Sequence, residues 1–480
     1  MADVTSIAEE YNFFNPFMSA RIITQTDSFP LWTSGATSSS FQNSAKALNG
    51  LNALAFVREI TVENQLGDIP IISVTLTPPY EDGIKFIDSE LIEFGQKSTN
   101  MRLQVQIGYA NTGGKTAILS DIFEGALLKP PEVRFGADMS ITLHAQGIGG
   151  STAAGQVASA RTFKGVTLGE AVTQLCQAIG WGIDLSLANK YDRSQKAFAQ
   201  TINECQGWNT DLFFLRQLLR KAGCSMYMTQ DSQTGKGVCQ VLPHQALYSD
   251  AQPTHILSLY GTPGTLGGVV YPILTAQSSF SAMWLTGIRK LIMRDIDNET
   301  KQLTKKTFDD STEKAPVTWG GSADPVGSPE TVPKPSDDGT ENYIHAPGDP
   351  KDQEAILATS SAYSQYRLAF AIDLDLETIG VPTLTPRQVV AVSGLGMRLD
   401  TRGPHGPKYA VQKVVHRIGA GGYTTSIHAI ANTAGELVAQ DAAWAPASGP
   451  VNQNDVPKDD NSNTVAMSSD SNDTGVPPLP

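Results

Sequence analysis

Apolar residues recur at every second position through much of this chain, most clearly between 369 and 430. In Ala369-Phe-Ala-Ile-Asp-Leu-Asp-Leu-Glu377, Phe370, Ile372, Leu374 and Leu376 fall on one face of a strand. Asp373, Asp375 and Glu377 fall on the other, because side chains alternate with period two. Gly380-Val-Pro-Thr-Leu-Thr-Pro386 is a turn built on glycine and two prolines. A valine-rich strand over 388–392 leads into a loop punctuated by Gly394, Gly396, Gly403, Pro404, Gly406 and Pro407. Strands over 409–418 and 423–430 flank the reversal Gly419-Ala-Gly-Gly422. The pattern predicts a compact antiparallel β unit with hairpin chemistry.

The same alternation fills residues 54–150. Ile60 and Val62; Ile72, Val74 and Leu76; Leu103, Val105 and Ile107; and Met139, Ile141 and Leu143 each mark a strand, with another over 123–128. Short strands at this spacing argue for a barrel or sandwich. This unit ends on Val133-Arg-Phe-Gly-Ala-Asp138 and a strand carrying His144. The later unit ends on His416-Arg-Ile-Gly-Ala-Gly-Gly422 and a strand carrying His428. The two endings have the form of a diverged internal duplication.

Between them the period changes. Thr167-Leu-Gly-Glu170 is a capping box, and Leu168, Ala171, Val172, Leu175, Cys176 and Ile179 follow at helical spacing. Asn209 or Thr210 caps a second helix with Leu212, Leu215, Leu218, Leu219 and Ala222 as its apolar stripe and Gly223 at its end. Strands over 225–229 and 237–242 pair behind it. The expected domains are an arm and linker over 1–53, a first barrel over 54–150 and a small α/β domain over 151–277. A second barrel follows from 278–297 plus 351–432, with the strand at 290 opening it. A low-complexity, proline-rich insertion spans 298–350, and a Pro/Asn/Asp/Ser tail spans 433–480. Asp352 can cap a helix over 353–366. The fold class is α+β, predominantly β: two related antiparallel barrels with an inserted α/β domain. The arm is irregular, and its cluster Tyr11-Asn-Phe-Phe-Asn-Pro-Phe17 docks either on the chain's own body or on a neighbouring subunit.

Charge and cysteine content narrow the function classes. The net charge is −13 with no long Lys/Arg cluster, a poor basis for gripping nucleic acid, though a negative wall lets DNA slide past. No basic segment followed by an apolar run opens the chain, and no run approaches the ~18 apolar residues of a membrane span. Cys176, Cys205, Cys224 and Cys239 form no C-x-x-C pair, which favours buried free thiols over disulfides or a metal.

No catalytic constellation stands out. Gly108-Tyr-Ala-Asn-Thr-Gly-Gly-Lys-Thr116 mimics a P-loop, but the spacing would require glycine where Tyr109 stands, so a hairpin loop is expected. H-E-x-x-H and G-x-S-x-G are absent, and His244 and His255 sit at unhelpful spacing from Cys239 for zinc. His416 and His428 are expected to form a cross-strand structural pair rather than a metal site. The acidic face Asp373, Asp375 and Glu377 is the most suggestive polar feature. It reads as the solvated side of a strand, as protection of a strand edge, or as the lining of a channel. No cofactor is expected.

The succession G-x-P-x-L-x-P over 380–386, the valine-rich strand, the Gly-rich loop, Y-x-V-x-x-V-x-H over 409–416, the Gly-rich turn and the Tyr423-Thr-Thr strand resembles the last barrel of phage tail hub proteins. These are the late-control baseplate hubs, similar to the N-terminal part of type VI secretion spikes. Gln206-Gly-Trp-Asn-Thr-Asp-Leu-Phe-Phe-Leu-Arg-Gln-Leu-Leu-Arg-Lys-Ala-Gly223 resembles the family's helix ending in Ala-Gly. The resemblance covers roughly 54–297 and 351–430. It implies a non-enzymatic homotrimer in the tail baseplate, assembled in the host cytoplasm. Its partners would be the tail tube protein and the central spike, with tape-measure and wedge proteins as further candidates, and DNA only in transit. Two barrels in each of three chains would match a hexameric tube on one side and a three-fold spike on the other, with Asp373, Asp375 and Glu377 ringing the lumen. A particle-borne cell-wall or polysaccharide hydrolase, or the hub of a contractile toxin or secretion apparatus, are the alternatives.

Overall fold

The computed structural model describes residues 16–23, 28–33, 56–77, 102–110, 117–127, 132–136, 139–147, 158–230, 237–243, 246, 253–259, 270–280, 290–296, 303–309, 343–346, 372–396, 399–401, 407–419 and 421–431. The first unit comprises β1 (Pro16–Ile23), β2 (Ser28–Thr33), β3 (Phe56–Gln65), β4 (Ile71–Thr77), β5 (Arg102–Tyr109), β6 (Ile118–Leu119), β7 (Phe123–Leu127), β8 (Glu132–Arg134) and β9 (Ser140–Gln146). Their order is β2-β1-β5-β7-β9-β4-β3, with β6 against β5 and β8 against β9. Alternation becomes burial: Ile60, Val62, Ile72, Val74, Leu103, Val105, Ile141 and Leu143 share one core. The arm departs from its irregular reading. Residues 16–23 pair along the whole of β5 and bury Ala20 and Ile22 in that core. Residues 111–116 of the P-loop mimic lie outside the described residues; Gly108 and Tyr109 pair with Leu119 and Ile118.

The small domain follows: β10 (Thr162–Thr167), α1 (Leu168–Ile179), β11 (Gly182–Asp184), α2 (Ser186–Lys190), α3 (Asp192–Phe198), β12 (Thr201–Cys205), α4 (Asp211–Lys221), β13 (Cys224–Gln230) and β14 (Gly237–Pro243). Both caps form as read. Thr167 accepts from the Glu170 N–H at 3.2 Å while the Glu170 carboxylate accepts from the Thr167 N–H at 2.8 Å; Thr210 caps α4. Thr167→Ala removes the first of these bonds, and a loss of about 1 kcal/mol is expected in urea unfolding, with the helix retained. The domain is clamped to the barrels. Gly67 donates to the Met226 carbonyl at 2.8 Å, Arg216 pairs with Asp68, and the Arg387 guanidinium lies 4.9 Å from the Tyr227 ring centre. Cys176, Cys224 and Cys239 are free thiols buried in the domain core, whereas Cys205, on a strand with an outward edge, is free and exposed.

The second unit has β15 (His255–Ser258), β16 (Val270–Phe280), β20 (Ile372–Ile379), β21 (Val389–Ser393), β22 (Tyr409–Gly419) and β23 (Gly422–Ala431). Each pairs with two others, β16-β20-β23-β22-β21-β15 and back to β16, so six strands close a barrel. It is not wholly antiparallel, since β15 runs parallel to both neighbours. The strand expected to open it is elsewhere. β17 (Lys290–Ile296) joins β18 (Leu303–Asp309) and β19 (Tyr343–Ala346) in a separate three-stranded sheet, so part of the proline-rich insertion is strand. The barrel opens earlier, with β15 and β16, and β16 is exposed from Leu274 to Ser279, which erases the alternation that marks strands in sequence. The helix read at 353–366 lies outside the described residues.

The two units share a strand order. In each unit the first strand pairs with the second, the second with the last, and the last with the penultimate: β3-β4-β9-β8, with β7 and β5 following on from β9, and β16-β20-β23-β22-β21. His144 on β9 faces Ser73 of β4, and His428 on β23 faces Asp375 of β20, so the two histidines occupy corresponding places. The units join edge to edge, β3 pairing with β22 from Glu59–Gly419 to Gln65–Lys413.

Candidate functional site

Strand register decides where the acidic residues point. Ile372, Leu374 and Leu376 enter the second core. Asp373 and Asp375 are therefore exposed and Glu377 half-exposed on the outer face. That face continues through the neighbouring ladders. Asp375 lies opposite His428, His428 opposite Lys413, and Lys413 opposite Gln65. One row along, Thr275, Glu377, Ser426, Val415 and Glu63 succeed one another across five strands. The polar sides of both units form a single surface, carried unbroken across the β22–β3 seam.

Charge on this surface is graded. Towards β3, cations answer the carboxylates: Lys413 Nζ is 2.5 Å from Glu63 and Arg417 Nε is 3.1 Å from Glu59. Towards β16, His428 Nδ1 lies 2.9 Å from the Asp375 carboxylate, and no basic side chain among the described residues pairs with Asp373 or Glu377. A groove of about 510 Å³ runs between these two regimes, lined by Gln277, Asp375, Glu377, Lys413, Ser426 and His428.

Ser426, His428 and Asp375 bear the side chains of a hydrolytic triad, and their geometry differs from one. Ser426 and His428 are alternate residues of a single strand, which spaces their Cα atoms roughly 6.5–7 Å apart. Proton transfer from a hydroxyl requires about 2.6–3.2 Å. Asp375 and His428 form a cross-strand hydrogen bond at 2.9 Å, and no hydrogen bond among the described residues joins Ser426 to His428.

His416 and His428 do not meet. The reversal sets Gly419 opposite Gly422, so His416 falls opposite Thr425 on the inner face and His428 opposite Lys413 on the outer. The turn itself contained this arithmetic, since pairing outward from it fixes the partners as far as Lys413 and His428, where a bulge shifts the register. His416 is buried beside the seam. Its Nε2 donates to the Leu384 carbonyl at 3.2 Å, and Nδ1 receives the Tyr423 hydroxyl at 3.0 Å. Burial lowers its pKa to about 4, against a smaller opposing effect of the Leu384 carbonyl. Tyr109 reaches from β5 to the Gly380 carbonyl at 3.0 Å and packs its ring 5.4 Å from Tyr423. These side chains lock the two units in one orientation. His255 is likewise held inside by Thr254 and Thr383. Among the described residues no three His, Cys, Asp or Glu side chains gather as a metal site, and no helix is long and apolar enough to cross a membrane.

Sequence reasoning found the β20 carboxylates and missed Glu59, Glu63, Lys413 and Arg417. Each stands at an ordinary outward strand position, and only the β3–β22 pairing makes them one surface with β20.

No family model matches the chain, and no curated protein matches it. Solved structures resemble it loosely. The 43 kDa tail protein of prophage MuSo2 from Shewanella oneidensis is 13% identical, with a TM-score of 0.46, over 86% of this chain and 98% of its own. A tail protein from Neisseria meningitidis MC58 is 10% identical, with a TM-score of 0.48, over 87% and 96%. The c3393 protein of E. coli, a component of the type VI secretion system, is 9% identical, with a TM-score of 0.41, over 78% and 74%. Identities and TM-scores this low fix neither fold nor function by themselves.

Proposed function

We propose that this chain is a structural hub of a phage tail baseplate: a trimeric ring joining the hexameric tail tube to a three-fold spike, with a lumen for DNA. One observation carries the reading. The edge of β3 that pairs with β22 corresponds, by the shared strand order, to the edge of β16 from Ile273 to Phe280. That edge of β16 pairs with β15 only at Val270–Pro272 and has no partner strand beyond it among the described residues. Likewise the edge of β22 that receives β3 corresponds to the outer edge of β8, which also has no partner strand among them. The join used once inside the chain is thus available once more between chains, β16 of one copy to β8 of the next. Unpaired strand edges of this kind are templates for pairing. Such heterologous contacts close into a ring when the rotation permits.

In that ring the polar surface would form a continuous inner wall. Asp373, Asp375 and Glu377 would recur from each copy as bands of negative charge that repel the phosphate backbone and leave DNA free to slide. The job is mechanical, and its energetics lie in interface burial and strand pairing.

The test is the mass of the full chain by light scattering on a sizing column, alone and with tube and spike proteins. Three copies per particle are expected; a monomer that persists with both partners refutes the ring. Gln277→Pro and Ser278→Pro sharpen the test. Neighbouring N–H groups on a strand point to opposite edges, so one proline removes a donor from the open edge and the other breaks a bond to β20. One variant should lose the trimer at nearly parental melting temperature, and the other should lose stability.

A further inference from the structure

Trp208 is 83% exposed, the most exposed large apolar side chain among the described residues, and it is held rigidly. It stands on a turn between β12 and α4 where Gly207 takes φ +60°. Gln206, fully buried, donates through Nε2 to the Asn209 carbonyl at 2.9 Å and to the Asp211 carboxylate at 2.7 Å. Asn209 donates back to the Gln206 carbonyl at 3.0 Å. Asp211, also buried, takes the Ser159 hydroxyl at 3.0 Å and Arg161 at 3.2 Å. Buried polar networks of this density fix one conformation. Here the network displays an indole to solvent, although its own α4 core lies beside it.

The indole heads a stripe. Phe213, 49% exposed, and then Gln217 and Arg220 follow at four- and three-residue spacing down the outward face of α4, while Arg216 beside them is already paired with Asp68. No carboxylate lies on that stripe, since Asp211 is turned inward. An aromatic head, a basic foot and the positive end of a helix favour an acidic segment with an apolar or proline-rich anchor. The chain contains one. Residues 451–480 carry five aspartates, one lysine and no other charged side chain, and they finish Val476-Pro-Pro-Leu-Pro480. A polyproline stretch docks on exposed aromatics at little ordering cost. Roughly 45 residues lie between Ala431 and Pro477, and a chain of that length can extend to about 150 Å, so length does not bar the segment from the small domain.

We propose that the Trp208–Arg220 face of α4 is the docking site for segment 451–480 of the same chain. The contact stands independently of the hub reading. A photoreactive benzoylphenylalanine at Gln217 of the full chain, followed by digestion and mass spectrometry, tests it. Cross-links to peptides from 451–480 are expected. Their yield should fall about ten-fold with Trp208→Ala, as for other aromatic anchors, and also in high salt, with the circular dichroism spectrum unchanged. Cross-links confined to the body of a second copy or to other segments, no cross-links at all, or a yield indifferent to Trp208→Ala would each overturn the proposal.

Discussion

Gly380→Ala should destabilise the chain by at least about 3 kcal/mol, read as a large drop in the urea midpoint. A Cβ at this position would lie 2.0 Å from Cδ1, 2.2 Å from Cγ and 2.3 Å from Cε1 of Tyr423. Overpacking a tight core costs roughly 1–3 kcal/mol when neighbours can shift, and here they are pinned. The Tyr423 hydroxyl is bound to His416, and its ring packs on Tyr109. The backbone cannot retreat either, because the Gly380 N–H donates to the Tyr423 carbonyl at 2.8 Å while its own carbonyl receives the Tyr109 hydroxyl. The methyl group therefore pushes on the contact that sets one barrel against the other. Gly421→Ala is the control, since a Cβ there meets nothing within 4 Å. Equal midpoints for the two variants would show that the ring of Tyr423 gives way and that the seam is soft.

Acid should weaken the fold well before the carboxylates titrate. Burial lowers the pKa of both His416 and His255 from 6.5 to about 4. Between these values the unfolded chain binds protons that the folded chain excludes, so stability rises with pH across that window. The full contribution is present above pH 6.5 and is lost as pH falls towards 4. For His416 alone it is on the order of 3 kcal/mol. The groups facing the ring are Phe123, Tyr423, Thr425 and the Leu384 carbonyl, none of which is a carboxylate that would neutralise an imidazolium. Asp184, whose pKa is lowered chiefly by the Ser186 hydroxyl, acts only below its ordinary value of 3.8 and leaves this window clear. Urea unfolding from pH 7.5 to 4 measures the slope. His416→Gln should roughly halve it, leaving the share of His255, whatever the variant does to absolute stability; a parental chain with no slope would mean that water reaches both imidazoles.

The legible parts of this protein are those governed by near neighbours in sequence. The β22–β23 hairpin follows from its glycine turn, the α1 capping box from Thr167 and Glu170, and the outward aim of Asp373 and Asp375 from period-two alternation. β16 was illegible because half of it is exposed on both sides, and β15 because a four-residue parallel strand has no turn to announce it. The arm hairpin was hidden for a related reason: β1 is a strand because β5 lies beside it.

The amino-acid sequence by itself determined a β-rich chain of two similar units around a helical insertion, with carboxylates kept off the core side of one strand. Alternation and capping are local free energies, and each is complete within a few residues. The tertiary structure alone decided that β3 joins β22, that the polar faces of both units become one surface, that His416 is sealed in while His428 meets Asp375, and that Trp208 stands clear of every core. Those outcomes depend on which distant edges meet, and edge pairing is backbone hydrogen bonding, to which nearly every residue type contributes the same donor and acceptor.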